Sequence, residues 1–89
     1  MKAYEITVKG RVQGVGYRYF AKSKADLLKI KGWVKNLQNG NVSIHAEGDE
    51  QSIQTFIDYC RQGPTRAIVS DVLVNEDKMM NYDTFDIKY

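Results

Sequence analysis

An α+β sandwich is what the sequence predicts: element order β-α-β-β-α-β with a short final strand, an antiparallel sheet carrying two helices on one face. Three observations predict it. Two segments repeat their apolar residues at helical spacing, the segments around them alternate apolar with polar residues, and an Asn-Gly dipeptide separates the second and third alternating segments.

The first strand rests on Tyr4, Ile6, Val8, Gly10 and Val12, which alternate with Glu5, Thr7, Lys9 and Arg11 as one buried and one wet face require. From Tyr17 the period changes. Tyr17, Phe20, Ala21, Ala25 and Leu28 recur at helical spacing and predict a helix from 17 to about 29. Gly32 to Leu37 is rich in strand formers, Asn39-Gly40 suits a two-residue type I′ turn, and Val42, Ile44 and Ala46 alternate with Ser43, His45 and Glu47. The last three are assigned to the wet face, His45 included. Asp49 is a candidate N-cap for a helix whose Ile53, Phe56, Ile57 and Cys60 form one stripe and which Gly63-Pro64 stops. The gap between Val69 and Val72 predicts a bulge in the next strand, and Phe85, Ile87 and Tyr89 make the closing one. This is the split β-α-β, or ferredoxin-like, layout.

At 89 residues and 43% hydrophobic content, residues 1–89 are expected to form a single domain with one core. The 13 basic and 11 acidic side chains are interspersed, which argues against a nucleic-acid arm or a membrane-binding helix. Cys60 is the only cysteine, so no intrachain disulfide can form, and the opening MKAYEITVKG alternates where a signal peptide would run apolar. Cytoplasmic residence and a monomer are the expectations. No stretch approaches the roughly 18 consecutive apolar residues of a membrane span.

Between the first strand and the first helix lies Gly10-Arg11-Val12-Gln13-Gly14-Val15-Gly16-Tyr17-Arg18, or GRVQGVGYR. A helix N-terminus carries unpaired N–H groups and a partial positive charge, and glycines let successive N–H groups converge on one point. Such a loop suits an anion. Arg18 in the first turn is unfavourable toward the dipole by about 0.3–1 kcal/mol unless an anion is held there, and its guanidinium matches phosphoryl oxygens as a planar fork. No Gly-Lys-Ser/Thr follows, and the glycine spacing is wrong for G-x-G-x-x-G, so no nucleotide is implied.

GRVQGVGYR at 10–18, GWVKN at 32–36, GNV at 40–42 followed by AEGD, and the later GPTRAIVSDV and FDIKY resemble the acylphosphatase family over nearly the whole chain. The resemblance implies hydrolysis of acyl phosphates to a carboxylate and inorganic phosphate, with no metal and no cofactor. It further implies that the loop N–H groups of Gln13, Gly14, Val15, Gly16, Tyr17 and Arg18 hold the phosphate, that the Arg18 side chain grips it, and that Asn36 orients the attacking water. The chain departs from the common family pattern at Tyr17, where phenylalanine is frequent, at Lys29, where a glycine often ends the helix, and at Gln38-Asn39.

The implied chemistry suits the residues. A carboxylate with a pKa near ~4 leaves without help from a general acid, and positioning plus charge stabilisation is most of what phosphoryl transfer needs. Without the motif, Asn36 would read as a hairpin residue bonded to local backbone. Cys60 reads as a small buried hydrophobe and Tyr17 as packing. An RNA-recognition module of the same layout would need exposed strand aromatics, which the set Asn41, Ser43, His45 and Glu47 lacks. A domain of a larger hydrogenase maturation factor is the other rival; the absence of zinc-type cysteine spacing favours a free enzyme. A degenerate member that binds anions without turnover is disfavoured by the presence of both Arg18 and Asn36.

Overall fold

The computed structural model describes residues 1–89. Its elements are β1 (Lys2–Arg11), α1 (Tyr17–Leu27), β2 (Lys31–Asn36), β3 (Val42–Gly48), α2 (Glu50–Gln62), β4 (Ile68–Glu76) and β5 (Phe85–Lys88). The sheet order is β4-β1-β3-β2-β5. The first four strands pair antiparallel, as the alternation predicts, whereas β5 joins β2 in parallel and makes the sheet mixed.

Both helices bury their stripes against one face of this sheet. Ile6 and Val8 of β1, Val34 of β2, and Val42, Ile44 and Ala46 of β3 meet Ala21 and Ala25 of α1 and Ile53, Phe56, Ile57 and Cys60 of α2 in one core. Fully burying a side chain such as Ile or Phe contributes roughly 1.5–3 kcal/mol, so this shared core is the main force that sets the site's scaffold. The second helix starts where its sequence says: the Asp49 carboxylate accepts from the Ser52 N–H at 3.4 Å, capping an orphan donor. The expected bulge is present on β4. Lys9 pairs with Asp71 and Gly10 with Val69, leaving Ser70 as the extra residue. A Cβ on Gly10 would stand 2.2 Å from the Ile68 carbonyl oxygen, which is why the bulge faces a glycine.

Three expectations are corrected. Helix α1 ends at Leu27 rather than near 29, because Lys29 adopts φ 60° and closes a Schellman-type cap: Ile30 N–H donates to Ala25 O at 2.8 Å and Lys29 N–H to Asp26 O at 3.3 Å. The hairpin loop has three residues rather than two. Gly40 N–H donates to Leu37 O, Leu37 N–H donates to Asn41 O, and Gly40 sits at φ 93°, while the Asn39 carboxamide oxygen accepts from Asn41 N–H. Lastly, Ser43, His45 and Glu47 are buried, His45 at 4% and Glu47 at 2% exposure. Residues 77–84 leave β4 at one edge of the sheet and reach β5 at the other, so they cross the helix-free face and cover this part of β3.

Candidate active site

The loop 12–16 turns the chain from β1 into α1 through two glycines in the left-handed region, Gly14 at φ 72° and Gly16 at φ 81°. A Cβ at either would touch nothing within 4 Å, so their requirement is conformational rather than steric. Gly16 caps α1 without any side-chain hydrogen bond, and the first turn holds no acidic residue. The first main-chain donor of this region to find a partner is Phe20 N–H, on Gly16 O at 3.0 Å. The N–H groups from Gly14 to Tyr19 donate to no main-chain carbonyl.

This region borders a cavity of about 90 Å³, several times what one water needs. Gly14, Gly16, Tyr17 and Arg18 line it together with Asn36. Asn36 is placed by β2, where it pairs with Val42 of β3 at the mouth of the hairpin. Its Oδ1 is buried and accepts no hydrogen bond. A buried acceptor without a donor costs about 1–3 kcal/mol.

Of the residues expected to hold phosphate, Gln13 and Val15 do not line the cavity. Val15 packs against the core. The Gln13 side chain is spent on the hairpin, its Nε2 donating to Leu37 O at 2.7 Å and to Asn41 O at 2.8 Å. It ties the loop to the end of the strand that carries Asn36. Tyr17 turns its side chain away into the core, 1% exposed, and donates to Cys60 O at 2.7 Å. Burial, and then the Cys60 contact, raise its pKa far above the ordinary phenol value, so it remains a donor. Burial likewise pushes the Cys60 thiol up to about 12, which agrees with its reading as an inert core residue.

Arg18 is half-buried, and two contacts aim it. Its Nη1 donates to Lys88 O at 3.3 Å, and its guanidinium carbon lies 4.7 Å from the centroid of the Tyr89 ring. Tyr19, which also lines the cavity along with Val12, brings its hydroxyl to 3.4 Å from that of Tyr89. None of Tyr19, Lys88 and Tyr89 is legible as a site residue from the sequence. The contacts join positions 70 residues apart, and no local pattern encodes them.

Fold and site together define an α+β domain in which the loop between β1 and α1, with unpaired main-chain N–H groups, lines one cavity together with Arg18 and Asn36. The acylphosphatase family model matches residues 4–87. A curated acylphosphatase of Thermotoga petrophila is 47% identical over 89 residues, covering 100% of this chain and 99% of the relative. The crystal structure of acylphosphatase from Bacillus subtilis superposes with a TM-score of 0.97 at 43% identity, covering 100% of both chains. A full-length HypF, solved in a phosphate- and nucleotide-bound form, matches at a TM-score of 0.89 and 30% identity, with 99% of this chain covering 12% of that one. This chain belongs to the acylphosphatase family. It is an enzyme of that family, and its reaction is the hydrolysis of acyl phosphates.

Proposed function

We propose that the phosphate of the substrate binds to the main-chain N–H groups of the loop that runs from Gln13 to Arg18, with Gly14, Gly16, Tyr17 and Arg18 nearest to it. The Arg18 guanidinium takes two of its oxygens as a bidentate pair. The Asn36 carboxamide hydrogen-bonds a water and turns that water's lone pair toward phosphorus. The water oxygen bonds to phosphorus as the bond from phosphorus to the acyl oxygen breaks. The acyl group departs with the electron pair as a carboxylate, and a phosphate oxygen takes the proton of the water. The free N–H groups and Arg18 neutralise charge on the equatorial oxygens, so the scheme calls on no metal and no cofactor.

The observation that carries this reading is that Asn36, whose Oδ1 is left without a partner, lines the same cavity as Arg18 and the loop glycines. The loop serves any acyl phosphate alike because it touches only the group they share.

Hydrolysis of benzoyl phosphate in the presence of a chelator tests it. Arg18→Ala is expected to lose turnover chiefly through lost phosphate binding, so that inorganic phosphate inhibits it poorly. Asn36→Ala is expected to lower kcat by about 10²-fold or more while phosphate inhibition stays near wild type. Equal loss of phosphate inhibition in both variants would overturn the division of roles.

A further inference from the structure

Outside the cavity, the helix-free face of β3 holds a cluster of charges that the reaction does not use. The His45 ring lies between two carboxylates, with Nε2 2.7 Å from Glu47 Oε2 and Nδ1 3.1 Å from Asp77 Oδ2. A neutral imidazole has one N–H, so both contacts are hydrogen bonds only when the ring carries two protons. Glu47 also accepts from the Met80 and Tyr82 N–H groups, which fastens the middle of segment 77–84 to the strand. Burial works to raise the Glu47 carboxyl's pKa, but the hydrogen bonds from His45, Met80 and Tyr82 outweigh it and hold the group below its ordinary value. The Lys78 N–H and then His45 hold Asp77 below its ordinary value too. The other neighbours of the ring are Trp33 on β2, stacked at 6.2 Å, and the edge-on Tyr82 at 5.4 Å. Lys35 and Lys88 lie over Trp33, Glu5 of β1 stands opposite His45, and Lys31 of β2 stands opposite Glu47.

A buried ion pair is weak evidence of stability and is best attested as a device that fixes one arrangement. Here the arrangement fixed is a strap that leads directly into β5. That strand has only four residues, on an edge, and its ladder alone defines its position weakly. Immediately beyond the strap, Thr84 O accepts from Gly32 N–H at 2.9 Å, and at the far end of β5 the Lys88 carbonyl and the Tyr89 ring hold Arg18.

We propose that His45 is a positioning residue for Arg18: its imidazolium latches residues 77–84 to β3, and the latched strap fixes the strand that aims the guanidinium into the cavity. The consequence for function rests on Arg18 being the phosphate ligand. Loss of the contact to the weaker and more exposed partner, Asp77, slackens the strap. The result is weaker phosphate binding, with the water-orienting Asn36 untouched on its own strand.

The test uses the full chain with Asp77→Ala and Asp77→Glu, because Asp77 is 44% exposed and its loss spares the core. In Asp77→Ala the Met80 and Tyr82 amides are expected to exchange faster. The inhibition constant of inorganic phosphate rises about three- to tenfold with kcat within about twofold, and Asp77→Glu restores most of the loss. Faster strap exchange with unchanged phosphate affinity would overturn the proposal. The Arg18 Nε–H resonance separates this result from the functional reading. If the wild type neither hydrolyses benzoyl phosphate nor binds phosphate, the functional reading fails, yet a resonance in the free protein that Asp77→Ala leaves unshifted still overturns the latch, and one that it shifts supports it.

Discussion

Tyr17 stands at the hinge between chemistry and core: its main chain borders the cavity while its side chain reaches α2 and donates to Cys60 O at 2.7 Å. Family members often carry phenylalanine at this position, and the hydroxyl is therefore an added tie between the two helices rather than a reacting group. Tyr17→Phe removes one buried hydrogen bond and leaves one carbonyl without its donor, so stability is expected to fall by about 1 kcal/mol. Chemical denaturation measures that loss, and kcat with benzoyl phosphate should stay at the wild-type value. A fall in kcat greater than the loss of folded protein would mean that the tie also sets the loop.

At the scale of elements, the end of α1 is where the sequence departs from its own best solution. Lys29 fills the left-handed position of a Schellman-type cap, φ 60°, a conformation that costs a side chain of this kind roughly 1–2 kcal/mol and glycine nothing. Lys29→Gly is expected to stabilise the protein by about 0.5–1 kcal/mol, the relief of strain being partly offset by the freer unfolded chain. A higher urea midpoint at unchanged slope is the readout. The two helices were legible because each buries a single stripe on a common core, so the period of the apolar residues reports the contact directly. The cavity was legible because GRVQGVGYR and GWVKN are contiguous motifs. The burial of His45 and Glu47 was not: strict alternation on β3 says which residues share a face, but what covers that face is a segment without periodicity some thirty positions further on. The hold of Lys88 and Tyr89 on Arg18 was hidden for the same reason, as was the parallel placing of β5.

Across the whole molecule, the helix-free side of β3 is covered by a strap held by Glu47 and Asp77. Glu47 accepts from His45, Met80 and Tyr82, and in the folded chain these bonds favour its charged form over its protonated one. Its folded pKa lies below the ordinary value of 4.5, so the unfolded chain binds its proton first as pH falls. The stability it contributes is therefore complete above the unfolded value and is lost as the pH falls through the folded one. Asp77, lowered in the same sense, adds to the same window. Glu47→Gln cannot titrate, so it should be less stable than the wild type at neutral pH, with a difference that is constant down to the ordinary carboxylate range and shrinks below about 4.5. Urea unfolding of both proteins from pH 7 to about pH 3 gives that difference directly. A gap that stays flat to the acid end would mean that the strap is held by shape and packing, and that the charge on Glu47 contributes nothing to holding it.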